Sequence, residues 1–240
     1  MLDTRGLYPA AIGCTGGSGS RVLRDILEAS PQIFMDRDYD ENTKDSRKSK
    51  KFLKLVDAPS ETICQWLEKF MMKILDQIPS GEETRYQYFG WKNPRTIEHV
   101  ESLFQAHPEL RFLHLIRDPA AIARGSQQNK FYTRKKARGK IDPHIESDEF
   151  ILGRWARQNL PIWEKYKDHP RYLLVCYEDI INKPEQTVQW IFDWLGVAEY
   201  SMSEALAVIA SPADAISRGN NVDVSMIAEA VRQLGYGHRL

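Results

Sequence analysis

Residues 7–27 read LYPAAIGCTGGSGSRVLRDIL, and this stretch decides the fold. Leu7 to Cys14 is a short apolar run of the kind that forms a buried strand. Gly13-Cys14-Thr15-Gly16-Gly17-Ser18-Gly19-Ser20 follows, with four glycines and two serines in eight residues. Val22, Leu23, Ile26 and Leu27 then recur at helical spacing, and Ser30-Pro31 ends the helix. A glycine-rich turn between a strand and a helix presents bare backbone N–H groups to an anion, and the helix dipole favours negative charge there. Ser18 and Ser20 add hydroxyl donors and Arg21 adds charge. A tight turn with no ligand is the plain alternative.

Outward from this unit, residues 36–54 are polar, with acids first and bases after; they read as loop and irregular helix. Ile63, Trp66, Leu67, Phe70, Met71, Ile74, Leu75 and Ile78 form one apolar stripe, ended by Pro79-Ser80-Gly81. Tyr86–Trp91 reads as a second strand. Asn93 then caps a helix with Pro94 in its first turn; Ile97, Val100, Leu103 and Phe104 face inward and His99 falls on the polar side. Arg111–Ile116 reads as a third strand, with His114 packed in the core. A long helix over 148–168, kinked at Pro161, precedes a fourth strand, Tyr172–Cys176. Pro184 opens a helix that Gly196 closes, and Val224–Leu234 forms the last helix. Short apolar strands alternating with helices specify α/β: a single-domain parallel sheet over residues 1–240, flanked by helices on both faces.

The length suits one domain with one sheet. Thirty-three basic and 33 acidic residues cancel. Proteins whose main task is holding nucleic acid are far more basic, so no nucleic-acid partner is expected and any anion site must be local. Three widely spaced cysteines, Cys14, Cys64 and Cys176, suit a reducing compartment. Residues 1–6 carry no apolar core for a signal peptide, and the expected location is cytoplasmic. No apolar run approaches the roughly 18 residues of a membrane span.

The next choice is which phosphate the loop holds. A nucleoside-triphosphatase loop reads G-x-x-x-x-G-K-[ST]; counted from Gly13, its lysine position is Gly19. The nearest magnesium-binding strand, Leu173 to Asp179, is a poor match. The dinucleotide pattern G-x-G-x-x-G is absent. A P-loop small-molecule kinase is therefore the weaker enzyme reading.

Three segments together resemble the sulfotransferases that use 3′-phosphoadenosine 5′-phosphosulfate (PAPS), with local similarity to protein-tyrosine sulfotransferases. Gly16-Gly17-Ser18-Gly19-Ser20-Arg21 is similar to the family's loop for the 5′-phosphosulfate. Leu113-His114-Leu115-Ile116-Arg117-Asp118-Pro119 resembles the strand and turn that hold the 3′-phosphate. Tyr177-Glu178-Asp179, followed by Pro184 and Leu195-Gly196, resembles a third conserved segment of the family. The resemblance implies a P-loop nucleotide-kinase-like sheet. It also implies metal-free sulfuryl transfer from PAPS, leaving adenosine 3′,5′-bisphosphate (PAP).

In-line transfer needs a cation where charge grows on the leaving oxygen and a base for the acceptor proton. Lys92, in Gly90-Trp91-Lys92-Asn93-Pro94, sits at a strand end, where ligands of open parallel sheets gather; the segment resembles the family's K-x-P. A cation at a helix start opposes the dipole, which argues against a decorative role. Asp38 matches the position of the catalytic glutamate of protein-tyrosine sulfotransferases, with Asp36, Asp40 and Glu41 as alternatives. Arg117 can grip the 3′-phosphate through two parallel bonds; a surface salt bridge is its ordinary alternative. The family's serine, eight residues on, is displaced here to Ser126, with Gly125 in its place. Tyr177 contacts either the adenine or the core. Arg218-Gly219 resembles a late basic loop that closes over the 3′-phosphate.

The basic stretch Lys130, Arg134, Lys135, Lys136, Arg138 and Lys140 reads as a solvated loop, or as a lid recruiting an anionic acceptor. Small molecules, carbohydrates and peptides all remain open as acceptors, as does a homo-oligomer. The non-enzyme alternative is a relative that binds PAP without turnover.

Overall fold

The computed structural model describes residues 4–36, 60–125, 147–209, 219 and 221–240. Strand β1 (Tyr8–Cys14) leads into helix α1 (Ser20–Leu27) and edge strand β2 (Ile33–Asp36). Helix α2 (Ser60–Leu75) precedes β3 (Tyr88–Lys92), a 3-10 turn (Pro94–His99) and α3 (Val100–Ala106). Strand β4 (Arg111–Ile116) is followed by α4 (Pro119–Ala123), α5 (Asp148–Tyr166) and β5 (Tyr172–Cys176). Helices α6 (Tyr177–Asn182), α7 (Pro184–Leu195), α8 (Met202–Ala207) and α9 (Ala228–Gln233) complete the described chain.

The strands form one parallel sheet in the order β2-β3-β1-β4-β5. Strand alternation sends successive side chains to opposite faces. Ala10, Ile12 and Cys14 of β1 therefore pack with Leu23, Ile26 and Leu27 of α1 and Val188, Ile191 and Phe192 of α7. Ala11 points the other way, into a core with Leu67, Met71 and Ile74 of α2 and Leu103 of α3. Helices thus cover both faces, as the alternation of strands and helices requires. A third cluster joins Ile116, Trp155 of α5 and Val231 of α9 beyond the carboxyl end of β4.

Strands Arg111–Ile116 and Tyr172–Cys176 match their sequence reading to the residue. Strand β2 was not expected. It has four residues, too few for a period of two to register, and its partner β3 lies more than fifty residues on. His99 is a correction: it is 3% exposed, not on a polar face. The segment after Pro94 is a 3-10 turn, whose period of three residues rotates His99 inward relative to an α-helix. The last helix begins later than its sequence reading, with a 3-10 turn at Ser225–Ile227 before α9. Among the described residues no helix is long and apolar enough to cross a membrane.

Candidate functional site

Parallel strands place all their carboxyl ends on one edge, and β1 occupies the sheet's centre with β3 and β4 beside it. The glycine loop leaves β1 there, Lys92 ends β3, Arg117 follows β4 and Tyr177 follows β5. Residues spread from 16 to 177 therefore meet along one edge, the usual ligand edge of such sheets.

Loop geometry depends on Gly17 and Gly19, at φ 92° and 90°. Gly19 is the N-cap of α1 in a left-handed conformation, and no side chain among the described residues caps the helix. A Cβ on Gly19 would lie 2.4 Å from the Tyr177 ring, so the turn is closed to any side chain. Ser18 is buried and its hydroxyl donates to Thr15 O at 2.7 Å, closing the loop on itself. Ser20 is also buried, whereas Arg21 is exposed.

Arg117 reaches back across the edge. One guanidinium N–H donates to Gly17 O at 3.2 Å, and the guanidinium carbon lies 4.5 Å from the centre of the Tyr177 ring. The two segments read separately as phosphate sites thus touch. Tyr177, 6% exposed, lies against both Gly19 and Arg117. Gly219 lies against the start of α4: a Cβ there would sit 2.5 Å from the Ala120 carbonyl carbon. Gly219 itself therefore approaches the Arg117 turn. Arg218, Ser126, Asp38 and the basic stretch 130–140 lie outside the described residues.

Lys92 is buried, 4% exposed, and pairs in register with Ile12 of β1. Asn93 follows, its N–H donating to Ile12 O at 3.2 Å and its side chain accepting from Arg95 N at 2.9 Å. Of the four acids considered as bases, Asp36 is the one described. It ends β2 beside Trp91, is 3% exposed, and accepts from Gln77 at 3.2 Å.

Sequence reasoning missed a buried polar chain behind the loop. Asn159 of α5 donates from Nδ2 to Thr15 Oγ1 at 2.9 Å, and its Oδ1 lies 2.8 Å from His114 Nε2. That oxygen can only accept, so Nε2 carries the proton and Nδ1 accepts from the Tyr172 hydroxyl at 2.5 Å. Thr15 in turn donates to Gln158 Oε1 at 3.2 Å. His114 is a packed core residue, as read, but it also orients Asn159 against the loop. Nothing in the spacing of Thr15, His114 and Asn159 could have signalled a contact made between β4, α5 and the loop.

Burial pushes the His114 imidazole down to about 4, and burial together with Arg95 does the same to His99. In the unfolded chain both return to about 6.5. Above that value both rings are neutral in both states and contribute no pH dependence. Below it the unfolded state takes protons that the fold refuses, so stability falls as pH drops from 6.5 toward 4. Urea midpoints measured across that window should decline, with a shallower decline in His114→Gln; a flat profile would contradict this placement of the two rings.

The sequence model of the sulfotransferase family matches residues 9–201. No curated protein sequence matches the chain. Among solved structures, a sulfotransferase from Alicyclobacillus acidocaldarius is 15% identical, with a TM-score of 0.58, covering 97% of this chain and 96% of that one. A Mycobacterium avium sulfotransferase is 13% identical at TM-score 0.57, covering 95% of this chain and 76% of its own. A mouse sulfotransferase complexed with PAP is 13% identical at TM-score 0.50, covering 96% and 77%. At these identities the structures speak for the fold, which is the P-loop-like α/β sheet. The family match spans the glycine loop, Lys92, the Arg117 turn and the Tyr177 segment, and by that match this chain belongs to the sulfotransferase family.

Proposed function

We propose that the protein transfers a sulfuryl group from PAPS to a hydroxyl or amine acceptor, without a metal ion, by in-line attack. The observation that supports this reading is the contact between the glycine loop and Arg117, which brings the two segments read as phosphate sites side by side. The residues fit a nucleotide with phosphates at both ends. The loop has an uncapped helix start and two left-handed glycines. At the other end stand a guanidinium and a glycine pressed against the turn that follows it.

PAPS supplies an activated sulfuryl group. In this reading Gly16, Gly17, Ser18, Gly19, Ser20 and Arg21 hold its 5′ end, and Arg117, Ser126, Arg218 and Gly219 hold the 3′-phosphate. Tyr177 props Arg117 and Gly19, beside the adenine. Lys92 stands at the end of β3, where the leaving oxygen gains charge. Asp38 takes the acceptor proton, with Asp36 the alternative that stands at the end of β2. The acceptor is a small molecule, a carbohydrate or a peptide. The three free cysteines suit the reducing cytoplasm.

Thermal shift tests this reading. PAP in EDTA should stabilise the fold by about 2.7 kcal/mol at a hundredfold excess over its Kd, by linkage. ATP with magnesium and NAD should do less at the same concentration. Equal stabilisation by AMP would remove the 3′-phosphate site from the proposal, and stabilisation by ATP-magnesium alone would replace it with a kinase.

A further inference from the structure

The segment after residue 219 lies outside the stretch matched by the family, residues 9–201. It nevertheless builds onto the Arg117 turn. The peptide joining Arg117 to Asp118 is held at both its polar atoms. Its carbonyl, Arg117 O, accepts from Trp155 Nε1 at 3.0 Å, and its amide, Asp118 N, donates to Glu178 Oε1 at 3.0 Å. Tyr236 touches both holders. Its ring stands edge-on to Trp155, with centroids 6.0 Å apart, and its hydroxyl donates to Glu178 Oε2 at 2.7 Å. Arg239 completes the arrangement by pairing with Asp118 Oδ2, while Asp118 Oδ1 caps α4 at Ala120 N, 2.9 Å away. The Asp118 side chain is 3% exposed and that of Arg239 19%.

We infer that Tyr236 and Arg239 form a clasp that positions Arg117 for the 3′-phosphate, so that this final segment sets the preference for a 3′-phosphorylated nucleotide. The inference rests on the PAPS reading above. Two physical effects support it. A guanidinium grips phosphate through a fixed fork, so its grip depends on the backbone from which it projects. Asp118 puts a buried carboxylate next to the residue that must receive an anion, and Arg239 balances that charge. Without Arg239 the carboxylate would repel the phosphate or draw the Arg117 guanidinium to itself. Tyr236 and Arg239 are therefore positioning residues that act through Glu178, Trp155 and Asp118.

Calorimetric titration of the full chain with PAP and with AMP separates this role from a merely structural one. Wild type should prefer PAP. Tyr236→Phe keeps the ring on Trp155 and removes only the hydroxyl. Both it and Arg239→Ala should reduce the PAP-over-AMP ratio by about tenfold, the scale of coupling within one hydrogen-bonded network, with AMP affinity little changed. Arg239→Lys should recover part of the loss. In an Arg117→Ala background, Tyr236→Phe should leave the ratio unchanged, because the residue it positions is gone. A wild-type ratio in folded Tyr236→Phe would overturn the clasp, even if Arg239→Ala failed to fold. Wild type with no preference for PAP would overturn the 3′-phosphate reading and the clasp together.

Discussion

Replacement of Lys92 by alanine is expected to lower kcat by about 10²–10³, the scale for removing one preorganised group that meets charge in a transition state. Lys92 is 4% exposed, at the carboxyl end of β3 and one strand from the glycine loop. Charge on the leaving oxygen grows only as the bond to sulfur breaks. The loss should therefore appear in kcat, with PAP affinity changing much less. Lys92→Met fills the same volume without the charge and should lose as much, which separates the electrostatic role from a packing defect. Turnover of PAPS with an acceptor, or its slow hydrolysis without one, provides the readout. A fully active Lys92→Ala would return this lysine to the ordinary role of a residue at a helix start.

Gly19→Val should cut PAP affinity by about a hundredfold or more. At φ 90° a branched side chain is strained, at a cost of roughly 1–3 kcal/mol. Its Cβ would also meet the Tyr177 ring at 2.4 Å. The same ring packs against the Arg117 guanidinium, 4.5 Å from its centre, so a shift of the ring would disturb that contact. One substitution thus distorts the loop and the arginine together. Calorimetry with PAP on protein shown to be folded by circular dichroism checks this. Unchanged affinity would remove the loop from the site.

The residues that made the fold legible are those whose neighbours in space are neighbours in sequence. The apolar run of β1, the glycine run and the helical spacing of Val22 to Leu27 carry their own signal. So do the apolar runs of β4 and β5, which match the structure to the residue. Strand β2 escaped because four residues carry no period, and its place depends on β3. His99 was assigned the wrong face because Pro94 begins a 3-10 turn, whose phase the α-helical pattern does not describe. The site divides the same way. The loop, Lys92, Arg117 and the Tyr177 segment were singled out by residue type at strand ends. Thr15, Asn159, Glu178, Tyr236 and Arg239 act through contacts between distant segments, such as Tyr236 with Glu178. No local pattern announces such contacts.

The most direct test is incubation of the purified protein with PAPS in EDTA, with PAP formation followed by chromatography. PAP should appear without metal, faster when a phenol or amine acceptor is present, and at a rate reduced by about 10²–10³ in Lys92→Ala. Intact PAPS beside magnesium-dependent consumption of ATP would contradict sulfuryl transfer at this site.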